Sequence, residues 1–100
     1  MSGPRAREGE ELRPAVLIVD DDGDLRDAWT RILRAAGYRA SAAPTGESGV
    51  AAALAEAPDI ILLDRALPDR DGTEVCISLR RELLAASPLI AVVSVFRLDS

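Results

Sequence analysis

The chain has 100 residues, of which 48% are hydrophobic and 29% are charged, and its formal net charge is −5. This balance is typical of one globular domain with a single core and argues against a disordered or fibrous chain. The negative charge disfavours direct nucleic acid binding, and the sequence has neither a histidine for an imidazole metal site nor an apolar run long enough to span a membrane. We therefore expect a cytoplasmic protein.

The first segment differs in character from the rest of the chain. Residues 1 to 13 mix glycine, proline and alternating charges without apolar periodicity, which predicts an unpacked N-terminal arm. Residues 14 to 100 are expected to form one domain. It opens with the apolar run 15 to 19, which predicts a strand buried on both faces of a parallel sheet.

The remaining segments alternate between helical and strand patterns. Apolar residues recur at helical spacing from 24 to 36, with Gly37 in the place of a C-terminal cap. Trp29 lies in that stripe, and we expect it to anchor the core. Thr45 is expected to cap a helix that runs to about residue 57. The other predicted elements are strands at 38–43, 59–63 and 89–94 and a helix at 73–86.

Strands that alternate with helices of this length indicate right-handed βαβ units. The fold class is therefore α/β, a doubly wound parallel sheet with helices on both faces. In such sheets ligands bind outside the carboxyl ends of the strands. The residues directly after each strand are therefore the candidates for function.

Oxygen-bearing side chains follow three of the predicted strands. Asp20 and Asp21 follow the first strand, Asp64 follows the third, and Ser94 closes the fourth. If the first and third strands are neighbours, the carboxylates converge, and like charges at such a distance require a proton or a cation. Hard oxygen ligands suit Mg²⁺, which also allows one carboxylate to act as a nucleophile toward phosphorus.

Acidic residues in this position can also have simpler or different roles. Carboxylates after a strand are often solvated or cap the next helix, and we favour that role for Asp22 and Asp24. A calcium loop is excluded because Leu25 and Arg31 stand where it needs glycine and glutamate. A phosphatase of the haloacid dehalogenase type needs a second aspartate where Ala66 stands.

Three motifs together resemble a known family. The segments VLIVDDD, PDIILLD and LPDRDG are similar, in sequence and in spacing, to the receiver domains of bacterial two-component response regulators, from about residue 15 to residue 94. The resemblance implies a flavodoxin-like fold with strand order 2-1-3-4-5. It also implies a sensor histidine kinase as the partner that donates a phosphoryl group.

The resemblance assigns roles to individual residues. Asp64 would be the phosphoacceptor, and Mg²⁺ would be bound by Asp20, Asp21, Asp64 and the backbone carbonyl of Ala66. Ser94, 30 residues beyond Asp64 (94 − 64 = 30), would contact the phosphoryl group. Pro68 and Gly72 would shape the intervening loop, since proline fixes φ and glycine tolerates φ values closed to other residues.

The sequence departs from the family pattern at its end. No segment corresponds to the family's fourth helix, fifth strand or fifth helix, and the chain contains no lysine, whereas the family carries one on the fifth strand. We expect a receiver fold that lacks its last βα unit, with the fourth strand as an exposed edge that promotes self-association.

Three functions remain open from the sequence. The first is a phosphoacceptor switch, which is not a turnover enzyme. The second is an interaction module that works without phosphorylation. The third, a metal-dependent phosphohydrolase, is disfavoured because no general acid is evident.

Overall fold

Four strands and three helices alternate along residues 12–83 and 88–93, the part of the chain that the computed structural model describes. In chain order these are β1 (Ala15–Val19), α1 (Gly23–Ala35), β2 (Arg39–Ala43), α2 (Gly46–Glu56), β3 (Ile60–Asp64), α3 (Gly72–Glu82) and β4 (Leu89–Val93). Every predicted element is present. Residues 1–11 of the predicted arm, residues 84–86 of the predicted third helix, and Ser94 lie outside the described residues.

The strands form one parallel sheet in the order β2-β1-β3-β4. This is the predicted doubly wound arrangement, in which β2 lies on one side of β1 and the later strands lie on the other. Val19 at the end of β1 lies opposite Ala43 on one side and Leu63 on the other. The register therefore brings Asp20, which follows β1, next to Asp64 at the end of β3.

One face of the sheet is covered by α2 and α3 and holds most of the core. Leu17, Ile61, Leu63 and the helix residues Val75 and Leu79 are almost completely buried there. The packing between α2 and β1 is close, because a Cβ added at Gly49 would lie 2.8 Å from the Val19 side chain. Glycine at this position lets the helix approach the strand.

The opposite face is covered by α1 alone among the described elements. Its buried residues are Val16, Ile18 and Ala40, and no residue of α1 itself is buried. The prediction that Trp29 anchors the core is wrong, since its side chain is 39% exposed. The periodicity of α1 correctly indicated an apolar stripe, but Trp29 on that stripe borders an apolar groove beside Leu62 and Val93 and is not buried.

Strand β4 pairs only with β3 within residues 12–83 and 88–93. Leu89 is 64% exposed, and Val92 and Val93 are also exposed. Within that part of the chain, its outer edge has unpaired backbone groups, and apolar side chains of the strand are exposed beside them. None of the three described helices has the length and apolar character needed to cross a bilayer.

Candidate functional site

Three carboxylates meet at the carboxyl edge of the sheet. Asp20, Asp21 and Asp64 each place one oxygen within 4.8 Å of the others. Asp20 is only 8% exposed, Asp64 is half-buried and Asp21 is exposed, so the cluster opens to solvent on one side. The structure thus brings together the three acids that the sequence placed after neighbouring strands.

The turn after β1 is organised by its own aspartates. The N–H of Asp22 donates to Oδ1 of Asp20 at 2.9 Å. Asp22 in turn caps α1, because its Oδ1 accepts the N–H groups of Asp24 at 3.0 Å and Leu25 at 3.2 Å. The predicted capping role of Asp22 is confirmed. Arg26, which no sequence motif singled out, donates to the carbonyl of Asp20 at 2.8 Å.

The electrostatics of Asp20 indicate an excess of negative charge. Burial raises the pKa of the Asp20 carboxyl above its ordinary value, and the nearby carboxylates of Asp64, Asp21 and Asp22 raise it further. The hydrogen bond from the Asp22 N–H opposes these effects without cancelling them. A cation placed among the carboxylates would relieve this repulsion.

The chain folds back on itself directly after Asp64. Oδ1 of Asp64 accepts the N–H of Ala66 at 3.1 Å, and the N–H of Gly72 donates to the carbonyl of Arg65 at 2.7 Å. Leu67 turns inward and is buried in the core. The backbone of Ala66 is therefore held close to the acid cluster at the base of a closed loop.

Gly72 is needed in this loop because of close backbone packing, and not because of an unusual φ value as expected from the sequence. Among the described residues only Gly37 and Ala57 have positive φ, so Gly72 does not need the conformational freedom of glycine. A Cβ at Gly72 would instead lie 2.5 Å from the Asp64 carbonyl oxygen and 2.6 Å from the Arg65 Cα. Glycine is required because α3 begins against the end of β3. Pro68 lies exposed in the same loop, and its role stays a prediction.

The donor set fits a hard divalent cation. Mg²⁺ binds oxygen at about 2.0–2.1 Å, so two oxygen ligands of one ion lie at most roughly 4 Å apart. The three carboxylates each offer an oxygen within 4.8 Å of the others, so a small shift would bring them to one ion. Mg²⁺ also keeps several waters, and the open side of the cluster leaves room for them. The ligand roles of Asp20, Asp21, Asp64 and Ala66 remain predictions, and Ser94 lies outside the described part of the chain.

An apolar groove adjoins the acid cluster on the α1 face. It has a volume of about 200 Å³ and is lined by Trp29, Leu25, Leu62 and Val93 together with Asp20 and Asp64. Trp29 is the only tryptophan in the chain. Its emission is therefore a natural reporter of changes at the carboxylates.

Asp69 lies in the LPDRDG segment, but no role was predicted for it from the sequence. Its two carboxylate oxygens accept the N–H groups of Gly46 at 2.8 Å and Glu47 at 3.0 Å. A sequence signal existed, because a capping threonine such as Thr45 satisfies only part of the free N–H groups of the first helical turn. The partner that completes the set could not be identified without the tertiary structure.

Comparison with known proteins agrees with this geometry. The family model of the response regulator receiver domain matches residues 16–97. Transcriptional regulatory protein AfsQ1 of Streptomyces coelicolor is 40% identical over 68 residues, which are 68% of this chain and 30% of that protein. The DNA-binding dual master transcriptional regulator RpaA of Synechocystis is 44% identical over 69 residues, 69% of this chain and 29% of that protein. The matched part of the chain thus spans less than a third of the length of these relatives.

Solved structures give the same result. A CheY-like response regulator receiver domain protein from Methanospirillum hungatei superposes with a TM-score of 0.78 at 30% identity, over 87% of this chain and 68% of that chain. The N-terminal domain of an uncharacterized protein from Wolinella succinogenes superposes with a TM-score of 0.72 at 31% identity, over 84% of this chain and 66% of that chain.

Proposed function

Because the chain belongs to the response regulator receiver domain family, we propose that it is a phosphoacceptor signalling domain in which Asp64 takes a phosphoryl group from a sensor histidine kinase. The observation that carries this proposal is the convergence of Asp20 and Asp21 on Asp64 at the open edge of the sheet. Repulsion between neighbouring carboxylates lowers the stability of the folded chain if the cluster has only a structural role. In a functional site, a bound cation offsets this repulsion and the same carboxylates serve as ligands and nucleophile.

The transfer step follows from the position of Asp64. One of its oxygens accepts the Ala66 N–H, which leaves the other oxygen available as the nucleophile. That oxygen attacks phosphorus, and the bond from phosphorus to the donor atom breaks with its electron pair leaving on the donor. The product is an acyl phosphate on Asp64.

Asp20, Asp21 and the carbonyl of Ala66 would hold Mg²⁺ beside Asp64. When bound, the ion supplies positive charge that offsets the repulsion between the carboxylate and the incoming phosphoryl group. Ser94 would contact a phosphoryl oxygen. The pairing of Asp20 Oδ1 with the Asp22 N–H fixes the direction of this carboxylate in advance.

The output of the domain is a shift between two conformations, which a partner recognises. The domain acts once per phosphorylation as a switch in the cytoplasm and is not a turnover enzyme. Relatives are named as DNA-binding or transcriptional regulators, but those names describe whole proteins, of which the matched part of this chain covers less than a third. With a net charge of −5, this chain is proposed not to bind nucleic acid itself.

A second candidate function is an interaction module that works without phosphorylation. In this function the partner would recognise the folded domain directly, and Asp64 would accept no phosphoryl group.

We also propose that copies of the chain associate through β4. The outer edge of this strand is unpaired within the described residues and carries the exposed Leu89 and Val92. Exposed apolar edges of this kind pair with other chains.

One experiment separates the phosphoacceptor from the module. The chain is incubated with Mg²⁺ and a small phosphodonor such as acetyl phosphate, and its mass is measured intact. The proposal predicts a gain of one phosphoryl group in the wild type and in Asp27→Asn, since Asp27 is exposed on α1. It predicts no gain in Asp64→Asn, which keeps an oxygen for the Ala66 N–H but has no nucleophile. No gain in the wild type would favour the module.

A further inference from the structure

The N-terminus of α2 is tied to the loop that follows Asp64. The first two N–H groups of the helix, from Gly46 and Glu47, donate to the two oxygens of Asp69, while the N–H of Ser48 donates to Oγ1 of Thr45 at 3.0 Å. These N–H groups have no partners within a helix. Thr45 and Ser48 satisfy the local part of the cap, and Asp69 supplies the rest from 23 positions further along the chain.

The contact is charge-assisted and closely packed. The hydrogen bonds from Gly46 and Glu47 hold the pKa of Asp69 below its ordinary value. A Cβ added at Gly46 would lie 3.0 Å from the Val75 side chain and 3.2 Å from Asp69. The start of α2 therefore lies directly against both the loop and the first turn of α3.

The same loop carries the backbone proposed to complete the metal site. The base of the loop is closed by the hydrogen bond from the Gly72 N–H to the Arg65 carbonyl, and the side chain of Leu67 is buried in the core. Beyond Leu67 the chain runs through exposed positions, where Asp69 ties it to α2 and the Arg70 guanidinium donates to Ser78 on α3 at 2.8 Å. Ala66 lies between Asp64 and Leu67, and its backbone is also bridged to Asp71 at the end of this outer part.

We propose that Asp69 is a positioning residue for the cation site. Its carboxylate clamps the loop to α2, so that the Ala66 carbonyl and the Asp64 carboxylate keep the separation that a small octahedral ion requires. This inference rests on the proposed function, and it adds that the contact from Asp69 to the N-terminus of α2 sets the affinity of the site for Mg²⁺. Residues that orient metal ligands without touching the metal commonly affect affinity in this way.

The test compares Asp69 with Thr45, because both cap the same helix but only Asp69 reaches the loop. Mg²⁺ affinity is measured by isothermal titration calorimetry and by Trp29 emission for the wild type, Asp69→Ala, Asp69→Asn and Thr45→Ala, each checked for folding by circular dichroism. Asp69→Ala should weaken Mg²⁺ binding by about tenfold or more. Asp69→Asn, which keeps one acceptor oxygen and remains suitable if the alanine variant unfolds, should give a smaller loss.

Thr45→Ala is the matched control. It should lower stability while leaving Mg²⁺ affinity unchanged, because it does not alter the loop. Wild-type affinity in both Asp69 variants would overturn the inference, and so would an equal loss of affinity in Thr45→Ala. A wild-type chain that neither binds Mg²⁺ nor gains a phosphoryl group would instead overturn the proposed function itself.

Discussion

Gly72 lies so close to Asp64 that a methyl group at Gly72 would come within 2.5 Å of the Asp64 carbonyl oxygen. The contact involves backbone atoms, which cannot rotate aside as the end of a flexible side chain can. A larger residue at the start of α3 would therefore push the backbone of α3 away from the end of β3. The Asp64 carboxylate is positioned by this close packing as well as by the sheet.

Substitution of Gly72 by alanine should disturb both stability and the site. We expect the free energy of unfolding in urea to fall by about 1–3 kcal/mol, as for other overpacked positions. Mg²⁺ affinity, measured by titration, should fall as well because the end of β3 must shift. In the control Gly23→Ala, the added Cβ meets nothing closer than Arg26 at 3.5 Å, and stability should change by less than about 1 kcal/mol. Unchanged Mg²⁺ binding in Gly72→Ala would argue against this positioning.

Asp20→Asn should raise the stability of the metal-free chain and weaken its binding of the cation. Burial and neighbouring carboxylates raise the pKa of Asp20, so its charged form is less favourable in the folded chain than in the unfolded chain. The amide keeps an oxygen for the Asp22 N–H and removes the charge. We expect the metal-free variant to unfold at higher urea concentration than the wild type and to lose the further stabilisation that Mg²⁺ gives the wild type. A variant that is less stable without metal would contradict the proposed repulsion.

The Asp69 clamp should weaken in acid. Its pKa in the folded chain lies below the ordinary value of 3.8, so its contribution to stability is complete above that pH and is lost as the pH falls through the lowered folded-state pKa. The difference in unfolding free energy between the wild type and Asp69→Asn should therefore be constant near neutrality and shrink below about pH 4. The corresponding difference for Thr45→Ala should not follow this profile, because the threonine does not titrate. A pH-independent Asp69 difference would show that its charge is not involved.

Self-association through β4 predicts a concentration-dependent mass in sedimentation equilibrium. Leu89→Lys combined with Val92→Lys should reduce the mass to that of a monomer, since lysine on an edge strand opposes pairing. Leu54→Lys is a matched control, because Leu54 is similarly exposed but lies on α2, away from that edge. A wild-type chain that is monomeric at all concentrations would exclude the association.

The residue pattern was sufficient to predict the α/β class and the acidic strand ends, whereas the strand order followed from the family resemblance. Continuous apolar runs indicated strands buried in a parallel sheet, and the alternation with helices determined where their carboxyl ends would meet. Asp20, Asp21 and Asp64 could be grouped because they follow two strands directly, and the pairing of β1 with β3 places them together.

Features that depend on the distance between elements were not predictable. Periodicity identified the apolar stripe of α1 but could not reveal that the sheet beside Trp29 is uncovered within the described residues. The need for glycine at position 72 arises from the approach of α3 to β3, which local sequence does not encode. The bond between Asp69 and Gly46 joins residues far apart in sequence, and only the packed structure brings them together.

The central claim is that the Asp64 carboxylate becomes an acyl phosphate. After incubation with Mg²⁺ and acetyl phosphate, borohydride reduction should convert the phosphorylated residue to homoserine, and peptide mass spectrometry should locate that change. We predict homoserine at position 64 in the wild type and at no position when Mg²⁺ is removed by chelation. Homoserine at Asp20 or Asp21 in place of Asp64, or at no position with Mg²⁺ present, would contradict the account.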